Sequence, residues 1–443
     1  MARKRRRNKL PQQPRELDIE SLNHDGRGVA HHEGKAVFVS GALPGEKVMA
    51  RYLKVQRRYD EATTESVLQP SNQRIEARCN VFGICGGCSL QHLSAQDQIQ
   101  FKQDALLEML QRLGHVTAEK LLPALTNEDP WGYRRKARLG VKYVQAKGKV
   151  LVGFREKGTS FITDTDKCHV LHPQVGDLIR PLASMIGTLS IADRLPQIEV
   201  AIDDSQCILI LRILDDLIAE DRQILMDFAN THKVTFYLQP GGPDTVEPLN
   251  QAVQLNYALP AYDLNYDFLP TDFTQVNTDI NRKMVSLALQ LLQPQAGDKI
   301  LDLFCGLGNF TLPLARQCKE VVGVEGDPAL VDRAKQNALR NGIHNTRYYL
   351  ANLYESIDHE AWNGETFERI LLDPPRSGAY EIVQMIEKFQ AEKIVYVSCY
   401  PGTLARDLDV LVNQKGYLLE AVGVMDMFPH TGHVESIAVL RKK

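Results

Sequence analysis

Four short apolar runs constrain this chain more than any other feature: KILDLFC from Lys299, EVVGVEGD from Glu320, ERILLDPP from Glu368 and KIVYVSC from Lys393. Each is followed by a helical or loop stretch. Continuous apolar strands alternating with helices are buried on both faces, which is the pattern of a doubly wound parallel sheet. Ligands of such sheets sit beyond the carboxyl ends of the strands. The chemically unusual residues fall there: Asp302 to Asn309, Glu325, Asp373 to Ser377, and Cys399.

The chain has 443 residues, enough for two to four domains at roughly 100 to 200 residues each. Hydrophobic residues at 44% and charged residues at 24% exclude a disordered, collagen-like or membrane-embedded chain. No apolar run approaches the roughly 18 residues that span a bilayer. The start MARKRRRNK leads into LPQQPRELDIE, not into the apolar core of a secretion signal. The expectation is a soluble cytoplasmic protein with no membrane partner and no evident obligate protein partner. The net charge of -3 hides an asymmetry, because residues 1–78 hold 16 Lys and Arg against 10 Asp and Glu. Six of the seven residues Arg3 to Lys9 are cationic, a density that suits a tail facing a polyanion. A solvated tail that only aids solubility is the alternative.

Residues 15 to 70 read as short strands separated by turn signals, the pattern of a small barrel. Arg51, Lys54, Arg57 and Arg58, interleaved with Tyr52 and Tyr59, point to phosphate contacts and base stacking. The sequence DGRGVA, then VFVSGALPGE, then a basic strand resembles the TRAM domain, an OB-like RNA-binding barrel. A helix is predicted after a Ser94 cap, with Ile99, Leu106, Leu110 and Leu113 at largely helical spacing. From about 130 to 260 the chain turns to a mixed, β-rich pattern with no evident catalytic constellation. The expected organisation is a basic tail at 1–11, a barrel at 12–70, a central α+β domain at 71–264 and the doubly wound domain at 265–443.

In the doubly wound part, Leu301 to Phe310 places a strand before a glycine turn and a helix, and Glu325 ends the next strand 17 residues after Gly308. A carboxylate there can accept both hydrogen bonds of a ribose diol. Thr311 stands where a dinucleotide fingerprint needs its third glycine, which disfavours nicotinamide. The segment resembles motif I of the S-adenosylmethionine-dependent methyltransferases, with Glu325 matching their ribose-binding acid. That resemblance implies that Phe304 and Asn309 line the cofactor, that Asn352 sits beside the adenine, and that Gln275 closes the methionine side.

Three further segments carry reaction chemistry: LLDPPRSG at 371–378, VSCYPGTLARDL at 397–408 and GHVES at 432–436. Two prolines stiffen the loop that presents Asp373. Cys399 ends an apolar strand. SCYPGTLARDL resembles the nucleophile motif SC-x-P-x-T-x-ARD of the RNA uracil-C5 methyltransferases, and HVE resembles their closing motif. The resemblance implies Cys399 as nucleophile and Glu435 as base. The chemistry needs such a pair. Uracil C5 is a poor nucleophile until a thiolate adds at C6, and a base must afterwards remove the C5 proton. Asp373 and Gln275 are candidates to orient the pyrimidine or the cofactor, and Phe273 to stack on a flipped base. DPPRSG lacks the cysteine that related cytosine-C5 enzymes carry in that loop, which argues against cytosine.

Cys79, Cys85 and Cys88 gather three thiols among Gly83, Gly86 and Gly87, and Cys168 is a candidate fourth. Such a set can hold zinc or an iron-sulfur cluster, and the residues alone leave the two open. The arrangement resembles that of the bacterial 23S ribosomal RNA 5-methyluridine methyltransferases with a [4Fe-4S] cluster, which implies the latter in a structural or RNA-positioning role. His92 and His169 are nearby substitutes, while Cys207, Cys305 and Cys318 read as packing residues. Together these resemblances imply an enzyme that methylates one uridine of 23S ribosomal RNA with S-adenosylmethionine. Uracil-C5 methylation of transfer RNA or of another ribosomal site is the near alternative, and a non-catalytic iron-sulfur RNA-binding protein the distant one.

Overall fold

The computed structural model describes residues 10–443, so the cationic run Arg3 to Lys9 lies outside the described residues. The chain divides into two compact units: Met1–Ala105 with Arg155–Thr163 and Phe428–His433, and Leu106–Phe154 with Asp164–Met427 and Val434–Lys443.

In the first unit six strands between Arg15 and Gln69 form one sheet. Its core is Leu17, Ile19, Ala30, Val37, Val39, Val48, Ala50 and Ala62. Strict alternation places these side chains on one face, since successive residues of a strand point to opposite sides. The same alternation corrects the reading of Tyr52. Two and four residues beyond Ala50 and Val48, it turns inward and is 5% exposed, so it cannot stack on a base. Arg51 pairs with Glu65 and Lys54 with Glu61, whereas Arg57 and Arg58 are exposed. Buried Glu46 is held by Arg74 at 2.5 Å and by the amides of Leu43 and Ser71. The helix Ala95–Arg112 starts with the predicted cap: Ser94 Oγ accepts from Asp97 N and donates to its carboxylate.

The second unit contains a six-stranded sheet built around Cys207–Arg212 and Gln197–Ile202, with Leu182 and Ile186 of the helix Ile179–Ile186 in its core. It also contains the doubly wound sheet. Its strands are β1 (Lys299–Leu303), β2 (Glu320–Glu325), β3 (Thr346–Leu350), β4 (Arg369–Leu372), β5 (Lys393–Ser398), β6 (Tyr417–Met425) and β7 (Glu435–Lys442). They lie in the order β3-β2-β1-β4-β5-β7-β6, with Lys120–Leu121 beyond β6. The first five are parallel and β7 is antiparallel to both neighbours. The strand order reverses between β1 and β4, which opens a crevice at their carboxyl ends. All four apolar runs of the sequence are strands of this sheet. No described helix is long and apolar enough to cross a membrane.

Candidate active site

The glycine turn after β1 is shaped by backbone geometry. Phe304, Gly306 and Gly308 all have positive φ, at 64°, 55° and 95°. Glycine adopts this region freely, whereas a phenylalanine there is strained. The Phe304 ring lies 5.9 Å from that of Tyr354. Glu325, at the end of β2, is fixed by backbone donors: Gly306 N at 3.0 Å, Gly326 N at 2.7 Å and Asp327 N at 3.0 Å. Asn352 is exposed beyond β3, accepts from Tyr354 N and donates to Glu355. Asn309 is occupied by protein partners: it accepts from Tyr257 Oη at 2.9 Å and exchanges two hydrogen bonds with Asn281.

Asp302, one residue before the end of β1, is fully buried. One oxygen accepts from Thr311 Oγ1 at 2.5 Å, and the other is buried with no hydrogen-bond partner. Burial pushes its pKa up to about 7, with the charges of Asp373 and Glu325 adding to the effect.

The reacting residues named from sequence come together at the ends of β4, β5 and β7. Register places Ser398 of β5 opposite Ser436 of β7, so Cys399 and Glu435 flank one paired position. Cys399 is half-buried and Glu435 is 3% exposed. Burial pushes the Cys399 thiol up to about 11, and the neighbouring carboxylates of Glu435 and Asp373 push the same way. Burial likewise holds Glu435 well above the ordinary carboxylate range, and Asp373 is pushed up to about 7. Arg376 opposes these effects on both Cys399 and Glu435. Burial thus disfavours the charged form of all three acids, and repulsion from neighbouring carboxylates adds to it at Cys399 and Glu435, where Arg376 acts the other way.

Phe273 is 69% exposed, so it is not a core residue, and Gln275 beside it is half-buried. Their segment is held from below by residues the sequence did not single out. Half-buried Lys136 donates through Nζ to the carbonyls of Pro270 and Asp272, and Arg135 N donates to Val276 O at 2.9 Å. Arg333 Nε meets the Asp272 carboxylate at 3.2 Å. Burial depresses the Lys136 pKa to about 8. No local motif marks Lys136, because its role depends on a carbonyl pair far along the chain. Arg376, by contrast, directly follows Asp373-Pro374-Pro375 in the sequence.

The cysteine loop lies in the first unit. Cys79, Cys85 and Cys88 are partly exposed, and Gly87 N donates to Cys85 Sγ at 3.4 Å. Burial pushes the Lys157 pKa down, against the effect of Cys88 and Cys85, and its amine lies 5.3 Å from the centroid of the Phe82 ring. Soft thiols with an amide donor at one sulfur are the kind of donor set that zinc or an iron-sulfur group takes. Cys168 lies in the second unit. Among the described residues, no three His, Cys, Asp or Glu side chains form a group that could hold a metal ion. His92 is buried against Phe82, and neither ring nitrogen has a hydrogen-bond partner. Cys207, Cys305 and Cys318 are buried.

Residues 250–443 match the family model "tRNA (Uracil-5-)-methyltransferase", and residues 11–63 match "TRAM domain". A protein of Alkalilimnicola ehrlichii named 23S rRNA (uracil(1939)-C(5))-methyltransferase RlmD is 51% identical over 99% of each chain. A protein of the same name from Nitrosococcus oceani is 50% identical, covering 100% of this chain and 99% of its own. The crystal structure of Pyrococcus abyssi tRNA (uracil-54, C5)-methyltransferase in complex with S-adenosyl-L-homocysteine shares the fold. It covers 96% of this chain and 99% of its own, with a TM-score of 0.73 and 23% identity. Half the residues identical over full length is far more than a shared fold requires, and the chain belongs to the RNA uracil-C5 methyltransferase family.

Proposed function

We propose that this protein methylates C5 of a uridine in 23S ribosomal RNA, the activity that its full-length relatives are named for, in the cytoplasm. The carrying observation is the convergence of Cys399, Glu435, Asp373 and Arg376 at the carboxyl ends of β4 and β5 and the start of β7. Cys399 Sγ, half-buried and so able to release its proton to solvent, adds as the thiolate to uracil C6, and the electron pair of the C5=C6 bond moves toward O4. S-adenosylmethionine supplies the methyl group as an electrophile on a sulfonium, whose positive charge also favours ionised acids in the cleft. Once C5 is methylated, the Glu435 carboxylate removes the C5 proton, the C5=C6 bond re-forms and the Cys399–C6 bond breaks. Arg376 favours the anionic forms that the thiol and the base need.

In this reading Glu325 accepts from the ribose hydroxyls, while Phe304, Asn309 and Asn352 line the cofactor. Gln275 and Asp373 lie on the methionine and pyrimidine side, and exposed Phe273 stacks on the flipped base. Cys79, Cys85, Cys88 and Cys168 are the proposed ligands of a [4Fe-4S] cluster, with a structural or RNA-positioning role. Iron analysis and visible absorbance of anaerobically purified protein test it. A protein that folds and methylates with all four replaced by serine overturns that role.

The test of the reaction is RNA containing 5-fluorouridine. Fluorine replaces the proton that Glu435 must remove, so a methylated protein–RNA adduct that survives denaturation is expected, and Cys399→Ala abolishes it. Methylation by Cys399→Ala at the wild-type rate overturns the mechanism. Mapping of 5-methyluridine in RNA from a deletion strain separates the 23S site from a transfer RNA site.

A further inference from the structure

We propose that Thr403, Arg406 and Asp407, on the helix that follows Cys399, form a clamp that sets the 374–379 loop and thereby places Arg376 beside the reacting thiol. They are positioning residues, and the inference rests on the reading of Cys399 as nucleophile.

The helix Pro401–Asn413 begins two residues after Cys399. Positions 403, 406 and 407 are spaced three and four apart, so their side chains leave one face together. Each meets a backbone group of the loop. Thr403 Oγ1 donates to Arg376 O at 3.1 Å, shared with Tyr400 O at 3.2 Å. Arg406 Nη2 donates to Ser377 O at 2.9 Å. Asp407 Oδ2 accepts from Ala379 N at 2.7 Å. The carbonyls of 376 and 377 and the amide of 379 thus have partners on the element that carries the cysteine.

The clamp is itself braced. Asp407 is fully buried, accepts from Tyr396 Oη of β5 at 2.6 Å, and accepts from Arg406 Nε at 2.8 Å. The Arg406 guanidinium stands 5.1 Å from the centroid of the Tyr380 ring. Gly378 is required by this arrangement. Its φ is 78°, and a Cβ there would lie 2.6 Å from both Arg406 Nη2 and Asp407 Oδ2. On the cofactor side, Tyr354 Oη meets Ser377 Oγ at 2.6 Å, which ties the same loop to the ring that packs on Phe304. The loop is therefore referenced to the nucleophile's own strand and helix, and its cation keeps its place relative to the thiol. The fixed Thr, Arg and Asp of SC-x-P-x-T-x-ARD acquire a task that neither RNA binding nor cofactor binding had given them.

The test uses the full chain and reads the thiol, not turnover. The rate at which iodoacetamide alkylates Cys399, quantified on the Cys399 peptide, is measured against pH for the wild type, Arg376→Gln, Thr403→Val, Thr403→Ser, Arg406→Gln and the double variant Arg376→Gln/Arg406→Gln. Thr403→Val and Arg406→Gln are expected to move the profile to higher pH, slowing alkylation below the midpoint by about threefold, or about half a pKa unit. Thr403→Ser keeps the wild-type profile. The double variant shows no shift beyond that of Arg376→Gln, because the clamp acts only through that side chain. A wild-type profile for Thr403→Val and Arg406→Gln, or full additivity in the double variant, overturns the clamp. Should Arg406→Gln fail to fold, the isosteric Thr403→Val decides alone. Methylation by Cys399→Ala would defeat the nucleophile assignment without touching this result.

Discussion

Gly306 N donates to Glu325 Oε2 at 3.0 Å, so the turn that ends β1 orients the carboxylate that ends β2. The other oxygen is held by Gly326 N and Asp327 N. The carboxylate is preorganised before any ligand arrives, which reduces the ordering cost of binding.

Glu325→Ala removes the acceptor and releases three backbone donors. Calorimetry is expected to show S-adenosylmethionine binding weakened at least tenfold, the scale of one lost charge-assisted hydrogen bond. Glu325→Gln, which keeps one oxygen, should fall between. Wild-type affinity for Glu325→Ala would remove this residue from the cofactor site.

Glu435→Gln keeps the shape of the buried side chain but cannot accept the C5 proton. Normal RNA substrate is expected to accumulate as a covalent, methylated adduct with Cys399, seen as a denaturation-resistant band that carries the labelled methyl group. Rapid release of methylated RNA by this variant would reassign the base.

Lys136→Met keeps the aliphatic stem and loses the ammonium donors to Pro270 O and Asp272 O. The segment carrying Phe273 and Gln275 loosens. The KM for RNA should rise several-fold, with S-adenosylmethionine affinity changed less, in steady-state assays that vary each substrate. Equal loss on both would place this lysine in general stability instead.

Asp302 gives a stability prediction with a definite sign. Its pKa is raised from 3.8 to about 7 in the folded chain, so between these values the native state holds a proton that the unfolded chain has released. Stability from this group is therefore present at low pH and lost as pH rises through that window, at about 1.4 kcal/mol for each unit of displacement. Asp302→Asn has no charge to bury. Its Tm relative to wild type should climb from acid to neutral pH and then level off. A difference independent of pH would show that Asp302 is ionised in its buried site.

Much of this was legible in the sequence, for reasons that can be located. β1, β2, β4 and β5 are visible because a strand covered on both faces must be apolar throughout, and that condition is met by adjacent residues. Glu325 was picked out by its distance from the glycine turn, and Cys399 by the resemblance of SCYPGTLARDL to a nucleophile motif, not by its place at a strand end alone. Tyr52 was misread because its basic neighbours suggested an RNA-facing role, while the period-two alternation with Val48 and Ala50 turned it inward. Lys136 gave no signal, since the carbonyls it meets lie more than a hundred residues away.

The sequence by itself determined the local elements: the order of strands and helices, the positive-φ turn at Gly306 and Gly308, the stiff Pro374-Pro375 loop, and the cap at Ser94. Each follows from the conformational preferences of a few consecutive residues. Only the tertiary structure decided which charges face one another. That Arg376 acts on Cys399 and Glu435, that Asp302 is shut away from water, and that Asp407 reaches Ala379 N depend on through-space distance and burial. Coulomb energy and desolvation are set by those two quantities, and chain separation fixes neither.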